Sequence, residues 1–227
     1  MEQVEIVCLA NSRKLGERCV AGYDIAAGRW LRPVSNTLDG SLERRDRVCL
    51  DGGEPRLLDR LRIGLVRPAP RAHQPENWLL APVRWRRLGV VSPTAACAFL
   101  GALATPGPDL LGGRNDRVPA SDFTAQPAAA SLAVVEPEAL EWLIRQGSGG
   151  KRQTRACFAL GGVGYDLAIT DLEFELRVAP LAAGRHPRAA AGLGPTARIF
   201  FTISLGEPFD GACYKLIAAV IALPGRN

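Results

Sequence analysis

The chain has 227 residues, 47% of them hydrophobic, and a formal net charge of +5, which is enough for two small barrels or one large β domain with a real core. No apolar run approaches the ~20 residues of a bilayer-spanning helix, and the start MEQVEIVCLANSRK is acidic where a secretory leader is basic. Neither a membrane span nor a leader is expected, and a cytoplasmic protein is.

Six cysteines (Cys8, Cys19, Cys49, Cys97, Cys157, Cys213) lie far apart in apolar runs with no CxxC pair, the pattern of buried reduced thiols rather than of a zinc knuckle or disulfide frame. The positive excess sits in the first half. Residues 1–120 hold 18 Lys and Arg against 13 Asp and Glu, whereas residues 121–227 hold 10 against 10. A localised positive field attracts polyanions. The same charge also arises from a GC-rich genome, since 25 of the 28 basic residues are arginine amid abundant Ala, Gly and Pro.

In chain order, residues 4–10 form a β-branched and apolar strand, turned at Leu15-Gly16 into a second over 18–25. After Ala27-Gly28 a short strand places Trp30 and Arg32 on one face and Leu31 on the other, and Pro33 makes it an edge or ends it. Further short strands are predicted over 47–50, 61–66 and 83–88, completing one barrel. A helix is predicted over 94–104, capped by Ser92 with Pro93 at its first position. Residues 108–127 read as a connection, giving units of 1–125 and 126–227.

In the second unit, alternation over 171–178 predicts a strand. Residues 198–205 predict another, with Ile199, Phe201, Ile203 and Leu205 facing a core and Phe200 on the polar side as a base-stacking platform. Residues 213–223 read as a central strand, with a helix left open, and 138–146 are equally open. Gly161, Gly162 and Gly164 mark a hairpin turn. The Ala-, Gly- and Pro-rich run 180–195 reads as a mobile loop carrying Arg185, His186 and Arg188 near solvent.

Six ordered motifs carry a resemblance: ANSRK at 10–14, GRWLRPVS at 28–35, DGGEPRLLD at 51–59, QPENW at 74–78, NDRVP at 115–119 and SLGEPFDGACYKLIAAVI at 204–221. Together they resemble the bacterial dual OB-containing domain family over nearly the whole chain. The resemblance implies an all-β protein with a short helical connector and two consecutive OB-like barrels. It further implies nucleic-acid binding, in a bacterial defence or mobile-element system. The run 184–195 departs from the family pattern.

OB barrels bind single strands by pairing a basic groove with rings on which bases stack. Trp30 with Arg32 has that composition in the first barrel, which is expected to carry most of the affinity. Asn11, Ser12, Arg13 and Lys14 form a polar turn suited to phosphate contact. Gln74, Asn77 and Trp78 offer amide groups beside a ring that can read a base edge, or they latch one barrel to the other. Arg114, Asn115 and Arg117 can lay guanidinium forks across a groove, while Asp116 can instead pair with them. Tyr214 and Lys215 complete the candidate set.

A lysine in so apolar a strand needs a partner, and Glu207 is the one expected. The expected function is non-enzymatic binding of single-stranded DNA or RNA. The alternatives are an adaptor for a protein partner and a sensor of a small ligand or modified nucleotide. No catalytic group, metal or cofactor is expected. A magnesium-dependent cleavage site on Asp166, Glu207 and Lys215 is the only arrangement with suitable chemistry.

Overall fold

The computed structural model describes residues 1–225, the side chain of Ser148 excepted, so the last two residues of the expected second unit lie outside it. The first sheet contains β1 (Glu2–Lys14), β2 (Glu17–Asp24), β3 (Arg29–Val34), β4 (Asp59–Pro68), β5 (Asn77–Leu80) and β6 (Arg86–Val90), with helix α1 (Arg44–Arg47) between β3 and β4. The strand order is β1-β2-β3-β5-β4-β6, and β1 also pairs with β4, so five strands close into a barrel.

Closure requires β1 to serve two neighbours. Its residues 2–7 lie opposite β4 and its residues 7–14 opposite β2, with a register shift between Cys8 and Ala10 that bends the strand. Gly22 lies beside this bend, because a Cβ there would stand 2.6 Å from the Val7 carbonyl oxygen. Leu31, Leu61, Ile63, Leu65 and Trp85 are fully buried in the barrel interior.

Helix α2 (Pro93–Leu103) follows as expected, with the Ser92 hydroxyl accepting from the Ala95 amide at 3.3 Å and Pro93 in the first turn. The remaining elements are β7 (Arg117–Pro119), α3 (Ala120–Ala125), β8 (Leu132–Val135), β9 (Glu138–Gln146), β10 (Arg152–Leu160), β11 (Val163–Ile169), α4 (Leu172–Arg177), β12 (Gly184–Pro187), β13 (Arg198–Phe209) and β14 (Ala212–Leu223). They form a sheet in the order β12-β9-β10-β11-β14-β13-β8, and β7 joins it beside β14.

Only Glu136 and Pro137 separate β8 from β9, and the two act as one bent strand, β8 on β13 and β9 on β10. Strands β11 and β14 run parallel, as β3 and β5 do in the first barrel. Each barrel also carries its helix, α1 or α4, just after the third strand. The architecture is therefore the expected pair of barrels. No helix among the described residues is long and apolar enough to cross a membrane.

Several local expectations are corrected. In place of the strand expected over 171–178 stands helix α4, because Asp171 caps it through the Phe174 amide at 3.1 Å and the apolar residues sort by the helical repeat. Phe174 and Val178 are buried while Leu176 is 74% exposed, which a strand would not produce. The strand expected over 47–50 does not form: Arg47 ends α1, which is held by a reciprocal cap between Glu43 and Asp46, and Cys49 makes only an isolated bridge with Trp85.

The run 180–195 contributes β12, paired with β9, and part of the expected connector contributes β7 to the second sheet. Phe200 is no platform at all: it is fully buried.

Phe200 lies in the seam between the barrels. One apolar cluster joins Val7, Leu9 and Ala21 of the first barrel, Ala96 and Leu100 of α2, and Val134, Phe200, Ala219 and Ile221 of the second. Hydrogen bonds cross the same boundary. Thr202 Oγ1 donates to the Leu9 carbonyl at 2.6 Å, the Arg13 amide to the Thr170 carbonyl at 2.9 Å, and Gln74 Nε2 to the Leu205 carbonyl at 3.0 Å. Thr202 itself is fully buried, so its bond satisfies a hydroxyl that burial would otherwise penalise.

Candidate nucleic-acid interface

The β1–β2 hairpin projects from the first barrel onto the second, where Ser12 bridges Asp171. Its tip, Leu15, is 83% exposed. On either side of Leu15 lie two hollows that meet at Arg13, Thr170 and Leu216. One, of about 420 Å3, is walled by Lys14, Leu205, Glu207 and Phe209. The other, of about 450 Å3, is walled by Lys151, Arg152, Gln153 and Glu175. Together they make a furrow along the seam.

The furrow is lined by cations held in place by carboxylates. Arg13 Nη2 lies 2.8 Å from Glu175, and its side chain remains about half exposed. Lys14 Nζ reaches Glu207 at 2.7 Å, and Arg71 Nη1 and His73 Nε2 reach the other carboxylate oxygen at 3.0 and 2.9 Å. Burial alone would raise the Glu207 pKa, but the hydrogen bonds from His73 and Lys14 and the charges of Lys14 and Arg71 bring it down to about 2. Arg152 donates to the carbonyls of Val178 and Leu181. Lys151 is exposed and has no acidic partner among the described residues.

At the rim, the β13–β14 hairpin carries an aromatic pair. Phe209 is 73% exposed, and its ring centroid lies 6.4 Å from that of Tyr214. The Arg117 guanidinium sits 5.0 Å from the Tyr214 ring centre and donates to its hydroxyl at 3.0 Å. The β7–β14 pairing places Arg117 directly opposite Tyr214.

The candidates read from sequence divide accordingly. Ser12, Arg13, Lys14 and the buried Gln74 line the furrow, and Arg117 with Tyr214 stands near its rim. Arg32 is fully buried and donates to Ser204 Oγ at 3.0 Å, so it joins the barrels and meets no solvent. Trp30 is partly buried in the seam cluster, edge-on to Tyr23 at 5.6 Å. The groove expected on the first barrel is therefore covered by the second.

Gln74 and Asn77 are buried, bonded to each other and to Leu205, and the neighbouring Glu76 carboxylate accepts from Ser131 N and Oγ at 2.6 Å each. This loop is a latch. Trp78 packs under Arg29 at 4.9 Å, away from the furrow lining. Asn11 lines a separate cavity. Arg114 pairs with Asp109, and Asn115 is exposed.

Lys215 does not meet Glu207. It donates to the carbonyls of Gly113 and Asn115 at 2.9 and 2.7 Å, and burial pushes its pKa down to about 8. Asp166 is bonded to Arg155, so the three groups of the cleavage arrangement each have other partners. No group of three or more His, Cys, Asp or Glu suited to a metal occurs among the described residues.

Sequence reasoning missed Phe209, Lys151, Arg71 and His73. Phe209 had a signal, since an aromatic directly before Asp210-Gly211 is a hairpin signature that leaves the ring at an exposed tip.

A family model described as the dual OB-containing domain matches residues 4–220. The chain belongs to that family. This dual OB-containing domain matches no curated protein. Among solved structures it overlaps the crystal structure of the tetrameric p202 HIN2, at 6% identity, with 98% of this chain and 92% of that chain covered and a TM-score of 0.28. At that score the overlap carries no argument. The fold of this dual OB-containing domain rests on its own strand order.

The Glu207 hub makes the seam acid-sensitive. A carboxyl whose folded pKa is depressed contributes fully above its unfolded value of 4.5 and loses that contribution as pH falls toward about 2. Glu175 and Asp171, raised by burial, act in the opposite sense but at higher pH, since their relief is complete once pH has fallen through their unfolded values of 4.5 and 3.8. Urea titrations at falling pH are expected to show stability dropping in this window, more steeply for the wild type than for Glu207→Gln. Parallel curves would show that the hub contributes nothing.

Proposed function

We propose that this dual OB-containing domain binds single-stranded nucleic acid along the furrow between its barrels, without catalysing a reaction. The observation that carries the reading is Phe209, a large ring left 73% exposed on a hairpin tip at the edge of a hollow that also holds Arg13 and Lys14. A soluble surface has little reason to present such a ring, whereas a base can stack on it for about 1–3 kcal/mol. Arg13 and Lys151 supply accessible positive charge along the same line, and Tyr214 under Arg117 offers a second flat surface.

Charge is moderate, since Glu175 and Glu207 already neutralise part of it, so binding is expected to be salt-sensitive with a shallow slope. The family resemblance favours the same class of partner, in a bacterial defence or mobile-element setting inside the cell.

Fluorescence anisotropy with single- and double-stranded DNA and RNA across a salt series tests this. Phe209→Ala is expected to weaken single-strand binding roughly 5- to 150-fold, equivalent to the loss of one stacked base. Arg13→Ala and Lys151→Ala are expected to flatten the salt dependence by about one phosphate contact each. Absence of binding at low salt, or equal affinity in Phe209→Ala, would sink the reading.

A further inference from the structure

Three hairpins of the chain bend through two residues that both have positive φ: Leu15-Gly16 between β1 and β2 (47° and 92°), Gly161-Gly162 between β10 and β11 (55° and 78°), and Asp210-Gly211 between β13 and β14 (49° and 74°). Such a bend matches the twist of its strands and favours Gly, Asn or Asp at its first position. Gly161 and Asp210 obey that preference. Leu15 does not, and its left-handed backbone brings the Cβ against the following carbonyl.

Two other leucines are left-handed, Leu58 at 69° and Leu111 at 44°. Both pack against apolar clusters, which offsets the strain. Leu15 has no such packing, because it is 83% exposed. An apolar group that is both strained and bare gains nothing from the fold, so its use lies in contact with another molecule.

The surroundings of Leu15 define that contact. It lines both hollows of the furrow, so a strand passing from one to the other crosses this tip. The tip is held stiffly from below, by the Arg13 amide on the Thr170 carbonyl, by Arg13 on Glu175 and by Lys14 on Glu207. The half-exposed Arg13 and the exposed Lys151 beside it match a chain of phosphates. The hollows themselves offer apolar walls, Pro208 and Phe209 in one, Ile169 in the other and Leu216 in both.

We infer that Leu15 is a wedge: it inserts between two neighbouring bases of the strand bound in the furrow, breaks their stacking and sends one into each hollow. Apolar side chains part base steps in this way. The inference rests on a strand lying in the furrow and adds what kind of strand it is, one whose bases separate readily. Thymine runs, which stack weakly, are therefore held better than adenine runs, which stack strongly.

The test uses the full chain with oligothymidine and oligoadenine of equal length, read by fluorescence anisotropy. The wild type is expected to bind oligothymidine about fivefold or more tightly than oligoadenine. Leu15→Asn suits the bend and is expected to raise Tm by roughly 2–4 °C. It is also expected to weaken oligothymidine binding roughly tenfold, the loss of one buried leucine contact, and to narrow the gap between the two strands. Leu15→Ala keeps the left-handed strain and loses the wedge, so binding should fall alike with little change in Tm.

If both variants bind the two strands as the wild type does while Phe209→Ala weakens them, the furrow reading stands and the wedge is overturned. If binding falls but the ratio between the strands is unchanged, Leu15 touches the strand without parting its bases, and the wedge is again overturned. If the wild type binds neither strand at low salt, both readings fall.

Discussion

Glu207→Ala is expected to lower stability by about 2–4 kcal/mol, somewhat under the 3–5 kcal/mol typical when one partner is removed from a fully buried ion pair. The discount follows from geometry: the Glu207 side chain is 26% exposed, whereas Lys14 and His73 are only 12% and 10% exposed. Removing the carboxylate leaves Lys14 and Arg71, both charged, facing each other with His73 beside them and no common acceptor. The hub also ties β13 of the second barrel to the β1–β2 hairpin and to the loop before β5, so its loss loosens the furrow wall as well as the seam. For a chain of this length the cost corresponds to a fall in Tm of roughly 4–16 °C. Glu207→Gln keeps an acceptor and should fall between wild type and alanine. A Tm for Glu207→Ala within error of wild type would mean that solvent replaces the carboxylate at no cost.

The second large effect is expected from Phe200→Ala, at about 3–5 kcal/mol for a fully buried phenylalanine. Its ring is covered on one side by the Arg198 guanidinium at 4.8 Å and belongs to a cluster drawn from both barrels and α2. Truncation leaves a void that neither barrel can fill alone, since the groups around it are held on strands of both barrels and on α2. Hydrogen exchange followed separately for amides of β4 and β10 is the decisive measurement, because these strands lie in different barrels. Both sets are expected to lose protection together. Unchanged protection in β4 would show that the first barrel holds without the seam.

Much of the barrel plan is legible in the chain because strands of alternating pattern and their Gly and Pro breaks are local signals. Residues 198–205 show this well, with Ile199, Phe201, Ile203 and Leu205 all buried as the two-residue period requires. The same pattern fails at 171–178, where leucine and phenylalanine alternate but Asp171 satisfies the first free amides of a helix, a capping signal that outweighs periodicity. What no period reveals is a second covered face. Phe200, Trp30 and Arg32 each point away from their own barrel, which in an isolated barrel means toward solvent. Here it means toward the neighbouring barrel, and the chemistry expected of exposed groups does not follow. The interface residues are half legible for the same reason: Arg13, Lys14 and Lys151 sit at local hairpin turns, while Arg117 meets Tyr214, and Arg71 and His73 meet Glu207, through contacts more than ninety residues apart in the chain.

The hairpin that runs from the first barrel onto the second has an implication for how such a chain can change. A strand whose root closes one barrel and whose far end leans on its neighbour cannot be lengthened, shortened or swapped without altering both. The halves are therefore not interchangeable cassettes, and a cut made anywhere between Val90 and Arg117 should yield two sticky fragments that need each other to stay in solution.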